Sequence, residues 1–319
     1  MKYSLLILFF PLIGFSQKIQ KYHDAMGKVT DAKNARFYFE AENRNDSGWH
    51  ASEYYLLGPS KPSIKTDGWF TDSTFKTGSG QFYYFYPNKN VQRTGSYVSG
   101  KKEGVWLEFY FNGLLSDSGS FQKNKPVGLK IGWYSNGYIS DSAVYEPDGS
   151  AIEMGWFDNG RPSYSGRLVA DYKRQGKWQF FHKSGAVSAI ESYDNGKLIG
   201  KKYFDEKGTE MDTTTNDKHA SPKGGKEGWR KYLGKSVYYP RGVKIVNAEK
   251  VSVVVTATVN EEGDIEDAYV SVPFARDFDD IALKAIKNSP KWDPEIKHNR
   301  AVKSTIRQTV TFAGERPNY

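Results

Sequence analysis

The chain has 319 residues, enough for two or three domains, and contains 8 Trp, 22 Tyr and 19 Phe. Its mean hydropathy of −0.67 indicates that these rings alternate with polar residues, which excludes a protein with several membrane spans. The 31 Gly and 13 Pro are typical of a chain built from short strands and turns.

Charge and cysteine content exclude further classes. No cysteine is present, so disulfides, thiolate metal sites and a cysteine nucleophile are ruled out. The net charge of +8 is spread along the chain with acidic residues in between, and we therefore expect no nucleic-acid partner.

Residues 1–16 have the pattern of a secretory signal peptide. Lys2 precedes an apolar stretch over residues 5–15 that contains Pro11, and a polar sequence follows Ser16. An uncleaved anchor is the alternative, but the apolar stretch is shorter than the roughly 20 residues that span a bilayer. We therefore expect an exported protein with at most peripheral membrane association.

A 24-residue repeat occupies residues 80–211. Glycine recurs at this spacing, and we take these glycines as structural anchors: Gly80, Gly104, Gly128, Gly176 and Gly200. The chain has Ile152 at the one position of the series where glycine is missing. Turns of Asn-Gly or Ser-Gly type end at Gly113, Gly137 and Gly185. Three aromatic rows run in register: Phe82, Trp106 and Trp178; Phe85, Phe109, Trp133, Phe157 and Phe181; Tyr97, Phe121 and Tyr145.

Each unit is predicted to be one β-hairpin, and stacked hairpins would bury the aromatic rows as the array's own core. This region resembles the membrane-occupation-and-recognition-nexus (MORN) repeats of bacterial secreted proteins and of a family of toxin–antitoxin partners. The resemblance is carried by GKKEGVWLEFYFNGLL from Gly100 and GKWQFFHKSGAV from Gly176. The fourth unit brings its turn, Asn159 and Gly160, one residue early, which predicts a bulge or a shorter turn.

The regions on either side of the array are predicted from composition. Residues 17–79 should hold a degenerate hairpin unit, preceded in 17–48 by a turn, a short helical piece and a strand. Residues 212–226 have no aromatic or large aliphatic side chain, which predicts a flexible linker.

Residues 227–319 predict a small domain with the order α-β-β-α-β. Its first helix carries Trp229, its hairpin VSVVVTATVNEEGDIEDAYVSV turns at Gly263, and its last strand ends at Phe312. The second helix should have Asp277 as its N-cap and bury one stripe: Phe278, Ile281, Ala282, Ala285 and Ile286. The predicted fold class is therefore mainly β plus α+β.

This domain resembles the C-terminal domain of the energy-transducing TonB proteins. The carriers are Tyr239 and Pro240, the hairpin, DDIALKAIKNSPKW, a Trp-x-Pro from Trp292 to Pro294, and a strand ending TVTF. The resemblance implies the periplasm or outer membrane of a Gram-negative bacterium, and a protein partner that is an outer-membrane receptor or another envelope component. The family's long N-terminal membrane helix and Pro-rich spacer are missing, which argues against classical energy transduction.

The last strand is the expected docking place, because no later strand follows to pair with its free side. The TonB resemblance places a captured peptide at the same strand. The predicted peptide-binding residues are Ser304, Thr305, Ile306, Arg307, Gln308, Thr309 and Val310.

No catalytic, cofactor or metal site is predicted. In GWRKYLGKS, over residues 228–236, the spacing of the glycines differs from that of a phosphate-binding loop. The histidines lack metal-ligand spacing and are expected at the surface or in turns: His23, His50, His182, His219 and His298.

We therefore expect a non-enzymatic binding or scaffold protein of the cell envelope, whose C-terminal domain captures an extended peptide of a transport-associated partner. The alternative is binding led by the repeats, to a protein, a lipid headgroup or a glycan, with the C-terminal domain as a tether.

Export predicts a mature N-terminus close to Ser16, which sequencing of the native protein should find. An intact Met1 on protein recovered from the inner membrane would contradict cleavage and favour an anchored transducer.

Overall fold

The structure is a computed structural model that describes residues 17–44, 47–56, 61–214, 217–241, 243 and 250–313. The predicted signal peptide, residues 1–16, lies outside the described residues. Within the described ranges, no helix is both long and apolar enough to cross a membrane.

Residues 18–211 form one antiparallel sheet of 17 strands. From β3 onwards each strand pairs with the next along the chain, and β1 lies between β2 and β3. The strands are β1 (Lys18–His23), β2 (Val29–Thr30), β3 (Phe37–Asn43), β4 (Trp49–Tyr55), β5 (Ser63–Phe70), β6 (Gly80–Phe85), β7 (Val91–Val98), β8 (Lys101–Phe109), β9 (Leu115–Gln122), β10 (Lys125–Trp133), β11 (Ile139–Tyr145), β12 (Ala151–Trp156), β13 (Pro162–Val169), β14 (Lys173–Phe181), β15 (Val187–Asp194), β16 (Lys197–Phe204) and β17 (Glu210–Met211). The mainly β array is confirmed, and its hairpins are joined edge to edge by backbone pairing.

The N-terminal region differs from its prediction. Strands β1 to β5 extend the sheet, and the described residues 17–44 hold no helix. Where a short helical piece was expected, the Asp24 carboxylate accepts hydrogen bonds from the backbone N–H groups of Met26 (2.8 Å) and Lys28 (3.0 Å). These bonds stabilise a turn, because an aspartate that bonds the following backbone offers an alternative to the helical ladder.

The anchor glycines do not all have the same backbone conformation. The φ angle is +79° at Gly80, +68° at Gly104, +66° at Gly128 and +65° at Gly176, whereas Gly200 is outside the left-handed region. The pairing register shifts around Gly104 and Gly128, as in a β-bulge that requires a left-handed residue. No neighbouring atom lies within 4 Å of a Cβ added at either position, so the backbone conformation is what requires glycine there.

A second row of glycines, which the sequence analysis missed, receives the tryptophan rings. A Cβ added at Gly95 would lie 2.3 Å from the Trp106 ring, and one at Gly166 would lie 2.0 Å from the Trp178 ring. The two tryptophans are only 1% and 0% exposed. The innermost aromatic row is therefore buried against the backbone of a neighbouring strand, and it forms part of the array's own core.

Side-chain hydrogen bonds link successive hairpins in a ladder. Each tyrosine hydroxyl donates to a backbone carbonyl in the next hairpin: Tyr86 to Phe109 (2.8 Å), Tyr110 to Trp133 (2.7 Å) and Tyr134 to Trp156 (2.9 Å). In the shortened fourth unit, Phe157 stands at the same turn position as Tyr134 and is buried. Assigning Phe157 to the row of Trp133 was therefore wrong by one residue, and Trp156 occupies that place.

The C-terminal domain has a three-stranded antiparallel sheet in the order β20-β19-β24, with helices packed on one face. Its elements are β18 (Ser221–Pro222), α1 (Gly225–Ser236), β19 (Lys250–Val259), β20 (Ile265–Val272), α2 (Arg276–Lys287), β21 (Trp292–Asp293), β22 (Glu295–Lys297), β23 (Arg300–Val302) and β24 (Ser304–Ala313). Helix α2 buries all five residues of the predicted stripe. Between α2 and β24, the short strands β21 to β23 add structure that the sequence analysis did not predict.

The start of α2 differs from its prediction. Asp277 does not cap the helix; Ala275 occupies the N-cap position, without a side-chain hydrogen bond. The Asp279 carboxylate reaches back and accepts a hydrogen bond from the Phe274 N–H at 2.8 Å. Burial raises the pKa of Asp279 to about 6.

Part of the predicted linker is ordered. Lys218 and Ile296 exchange two backbone hydrogen bonds of 3.1 and 2.9 Å, and strand β18 pairs with β21. The described residues from Lys218 onwards are therefore attached to the C-terminal domain, because backbone pairing can order a segment that has no aromatic or large aliphatic side chain.

We expect Gly104→Val and Gly128→Val each to destabilise the protein by about 1 to 3 kcal/mol, because valine is strained at a positive φ. Thermal and urea unfolding measure the change. Gly200→Val is the matched control, because its backbone is outside the left-handed region and an added Cβ has only ordinary contacts. Equal stability of all three variants would show that the bulges do not need glycine.

Candidate peptide-binding edge of the C-terminal domain

Strand β24 is an edge strand of the C-terminal sheet. It pairs with β19 at ten successive positions, from Ala313 with Lys250 to Ser304 with Val259. Among the described residues, no strand pairs with its other side. The backbone N–H and C=O groups on that side are therefore available to an added strand.

Alternation divides the predicted binding residues between two faces. The face towards the helices contains Ser304, Ile306, Gln308 and Val310, of which Ile306 and Val310 belong to the buried core. The opposite face contains Thr305, Arg307 and Thr309, which are all exposed. Exposed side chains thus accompany the free backbone groups along the whole strand.

A groove of about 550 Å³ runs between β24 and helix α1. Trp229, Leu233 and Val237 form its apolar lining on the helix, and residues 308–311 form its strand side. The exposed cations Lys226 and Arg230 flank the groove, and none of the described residues that line it carries a carboxylate. The GWRKYLGKS motif lies entirely within α1, so several of its residues contribute to this groove and the motif does not form a phosphate-binding loop. The sequence predicted the helix but not its position beside the strand.

The opposite edge of the sheet, strand β20, is in contact with the repeat array. The Tyr269 ring stacks on Phe111 at 4.8 Å and meets Tyr86 edge-on at 5.1 Å. The Ser135 hydroxyl donates to the Asp267 carboxylate at 2.9 Å. These contacts all come from turns or strand ends at one edge of the array, and they leave β24 as the accessible edge.

Ion pairs hold the two parts of the chain together. Lys303 lies 2.8 Å from Asp158 in the array and 2.6 Å from Glu266 in its own domain. Lys183 of the array lies 3.1 Å from both Asp158 and Glu261. Burial alone would lower the pKa of Lys303, but its hydrogen bonds to Asp158 and Glu266 raise it. Both lysines therefore stay charged, and the array and the domain share one network.

The turn between β22 and β23, which contains His298 and is called here the β22–β23 tip, packs against the array. The His298 ring stacks on Phe180 with centroids 3.7 Å apart, and its Nδ1 lies 2.8 Å from the Glu191 carboxylate. Arg300 donates to the backbone carbonyls of Ser163 and Phe181 and is buried, which lowers its pKa to about 10. His298 therefore has a buried partner, Glu191, at an interface that could not be predicted from the sequence.

The prediction that the histidines lie at the surface or in turns was wrong for His23 and His50, which are half-buried in strands β1 and β4. His219 is highly exposed, His50 contacts Asp67, and His182 bonds the Phe204 carbonyl at 2.9 Å. Throughout the described ranges, no group of three or more possible metal ligands is found.

A small sheet with helices on one face and a free edge strand is suited to holding another chain. Residues 235–313 match the family Gram-negative bacterial TonB protein C-terminal, within the predicted range 227–319. The chain thus carries a TonB C-terminal domain, a non-enzymatic protein-interaction domain of the Gram-negative envelope. No curated protein matches the chain. The family match does not include the array, whose MORN resemblance stays a prediction.

We expect Glu191→Gln to destabilise the protein at neutral pH by about 1 to 3 kcal/mol, because it removes a buried charge-assisted hydrogen bond. Burial alone would raise the pKa of Glu191, but hydrogen bonds from His298 and Tyr193 lower it. The contribution of the carboxylate is therefore fully present above its ordinary pKa of 4.5 and is lost as pH falls through the lower folded value.

Unfolding curves across this pH range test the expectation. Glu210→Gln is the control, because its ion pair with Lys202 is exposed and should contribute only about 0 to 1 kcal/mol. A Glu191→Gln effect that equals the control at neutral pH would contradict the role of the buried pair.

Proposed function

We propose that this is an exported, non-enzymatic binding protein of the Gram-negative envelope, whose C-terminal domain captures an extended peptide by strand addition to β24. The observation that supports this proposal is that no described strand pairs with the outer side of β24, which lies beside the groove under α1. The peptide would belong to an envelope protein such as an outer-membrane receptor, the class of partner that the TonB C-terminal domain suggests.

Main-chain hydrogen bonds would supply most of the affinity, because an added strand satisfies the unpaired groups of the edge. The groove would supply selectivity. Side chains of an extended peptide alternate, so every second one would point towards Trp229 and Leu233 and should be apolar. Lys226 and Arg230 favour an acidic residue next to the paired segment, since the groove lining has no carboxylate to oppose it.

The array has a supporting role in this proposal. Its contacts with β20, its ion pairs to Lys303 and its contacts with the β22–β23 tip are spread along the C-terminal domain. They support a fixed orientation of the C-terminal domain on the array, in which the outer side of β24 stays accessible to a peptide. A fixed binding edge loses less orientational freedom when a peptide docks.

Gln308→Pro tests the site. The proline removes a donor and disturbs the edge, so the full-length variant should lose binding to a synthetic peptide in which valine and threonine alternate after two acidic residues. Fluorescence anisotropy measures binding, and circular dichroism checks that the variant is folded. Equal binding by a folded proline variant would place the site elsewhere.

Gln308→Ala is the matched control, because it keeps the backbone donor and should bind nearly as well as the unchanged protein. Co-purification from envelope fractions supplies the natural partner: the unchanged protein and the alanine variant should retain it, and the proline variant should not. Retention of the same partner by all three would contradict capture at β24.

Binding led by the array is the second candidate, and an exposed apolar strip favours it. Leu129, Val144 and Ile152 are direct cross-strand neighbours on β10, β11 and β12, and are 55%, 58% and 66% exposed. Such a strip suits an apolar partner surface better than a glycan. If Ile152→Ser abolishes partner retention and Gln308→Pro does not, the array carries the function.

A further inference from the structure

A second cleft, of about 320 Å³, lies between the array and the C-terminal sheet, away from the groove of α1. Its array wall includes Arg93, Glu108 and Asn112. Its opposite wall includes Thr258 and Asp267, together with Thr305 of β24. This volume is at the lower end of the roughly 300 to 1,000 Å³ of small-molecule sites, which indicates a small ligand.

Arg93 and Glu108, which line this cleft, form no ion pair with a described residue. Arg93 and Glu108 are direct cross-strand neighbours on β7 and β8, where opposite charges ordinarily approach each other. Within the described residues, however, no carboxylate lies within 4.0 Å of the Arg93 guanidinium, which stacks on Tyr84 at 4.0 Å. Further along the same array, Lys130 is paired with both Asp117 and Asp141. The cleft therefore holds a cation and an anion that have no ion-pair partner among the described residues.

Neutral polar groups in the cleft also have hydrogen-bonding groups that are not used within the described residues. The side-chain amides of Asn88 and Asn136 each donate to a backbone carbonyl of the next hairpin at 2.8 Å. Asn112 is the equivalent residue between them, and its amide nitrogen makes no such bond in the described part of the chain. The Ser116 and Thr258 hydroxyls, which line the same space, likewise have no hydrogen bond within the described ranges.

We propose that this cleft binds a free α-amino acid, whose carboxylate meets Arg93 and whose ammonium meets Glu108 and Asp267. A zwitterion supplies both missing counter-charges at once, at a separation of a few ångströms. A neutral sugar leaves both protein charges without a counter-charge, and a simple anion satisfies Arg93 while being repelled by Glu108. The Tyr86, Phe111 and Tyr269 rings offer apolar contact to the side chain of the ligand.

Calorimetry on the full-length protein with a panel of free amino acids at millimolar concentration tests the proposal. At least one should bind, and its N-acetyl and decarboxylated analogues should each bind at least about tenfold more weakly, since each loses one charge-assisted contact. Arg93→Gln and Glu108→Gln should weaken binding by a similar factor. Arg167→Gln, an exposed change on β13, should have no effect.

A variant that fills the cleft with a larger side chain tests the proposal even if the loss of Arg93 or Glu108 unfolds the protein. Thr258→Trp leaves both charges in place but occupies the cleft, so it should abolish binding while retaining the fold by circular dichroism. The proposal is overturned if no amino acid of the panel binds the unchanged protein. It is also overturned if the N-acetyl analogue binds equally well, if a saccharide panel binds in its place, or if the filled variant binds like the unchanged protein.

Discussion

Among the described residues, the sheet of 17 strands has no second β-layer of its own, and it buries large side chains against its own backbone. In this array the tryptophan rings lie on glycines of the neighbouring strand, as Trp106 does on Gly95 and Trp178 on Gly166. That contact sets how closely one hairpin approaches the next, and the tyrosine ladder then joins each hairpin to its successor. The regular edge that receives the C-terminal domain depends on this spacing.

The C-terminal domain uses its surfaces for different purposes. One face of its sheet packs on helices, β20 lies against the array, and no described strand pairs with the far side of β24. Exposed edges are a hazard for any β protein, because they pair with whatever strand arrives. Here side chains of β20 and of the central strand β19 contact the array, so the array packs against the C-terminal sheet without pairing with its edges among the described residues.

Local patterns made much of this architecture predictable. Recurrent Asn-Gly turns and alternating rings indicate hairpins because both depend on near neighbours in the chain, and the stripe from Phe278 to Ile286 indicates a helix for the same reason. Capping was harder to predict: Asp277 and Asp279 both lie at the start of the helix, neither is the N-cap, and only Asp279 bonds back to the Phe274 N–H. The Tyr86 row was overlooked because its hydrogen bonds join residues 23 positions apart.

The candidate site shows the same division. Alternation along residues 304–310 was readable from the sequence, but the groove was not, because α1 and β24 are distant in the chain and are brought together by the core around Trp292 and Val310. The docking of the C-terminal domain on the array could not be predicted from the sequence either. Arg300 and Ser163 carry no signal of each other, because contacts between a loop tip and a distant hairpin leave no periodicity.

The one-residue shortening of the fourth unit has a consequence for how the two parts assemble. A perfectly periodic array would offer the C-terminal domain several equivalent docking positions, each displaced by one unit, and the domain could bind at any of them. The irregular unit supplies Phe157, Asp158 and Ser163, which contact Arg300 and Lys303. The shortened unit breaks the translational symmetry of the array at that point. One docking position therefore differs from all the others, and the C-terminal domain has a single alignment on the array.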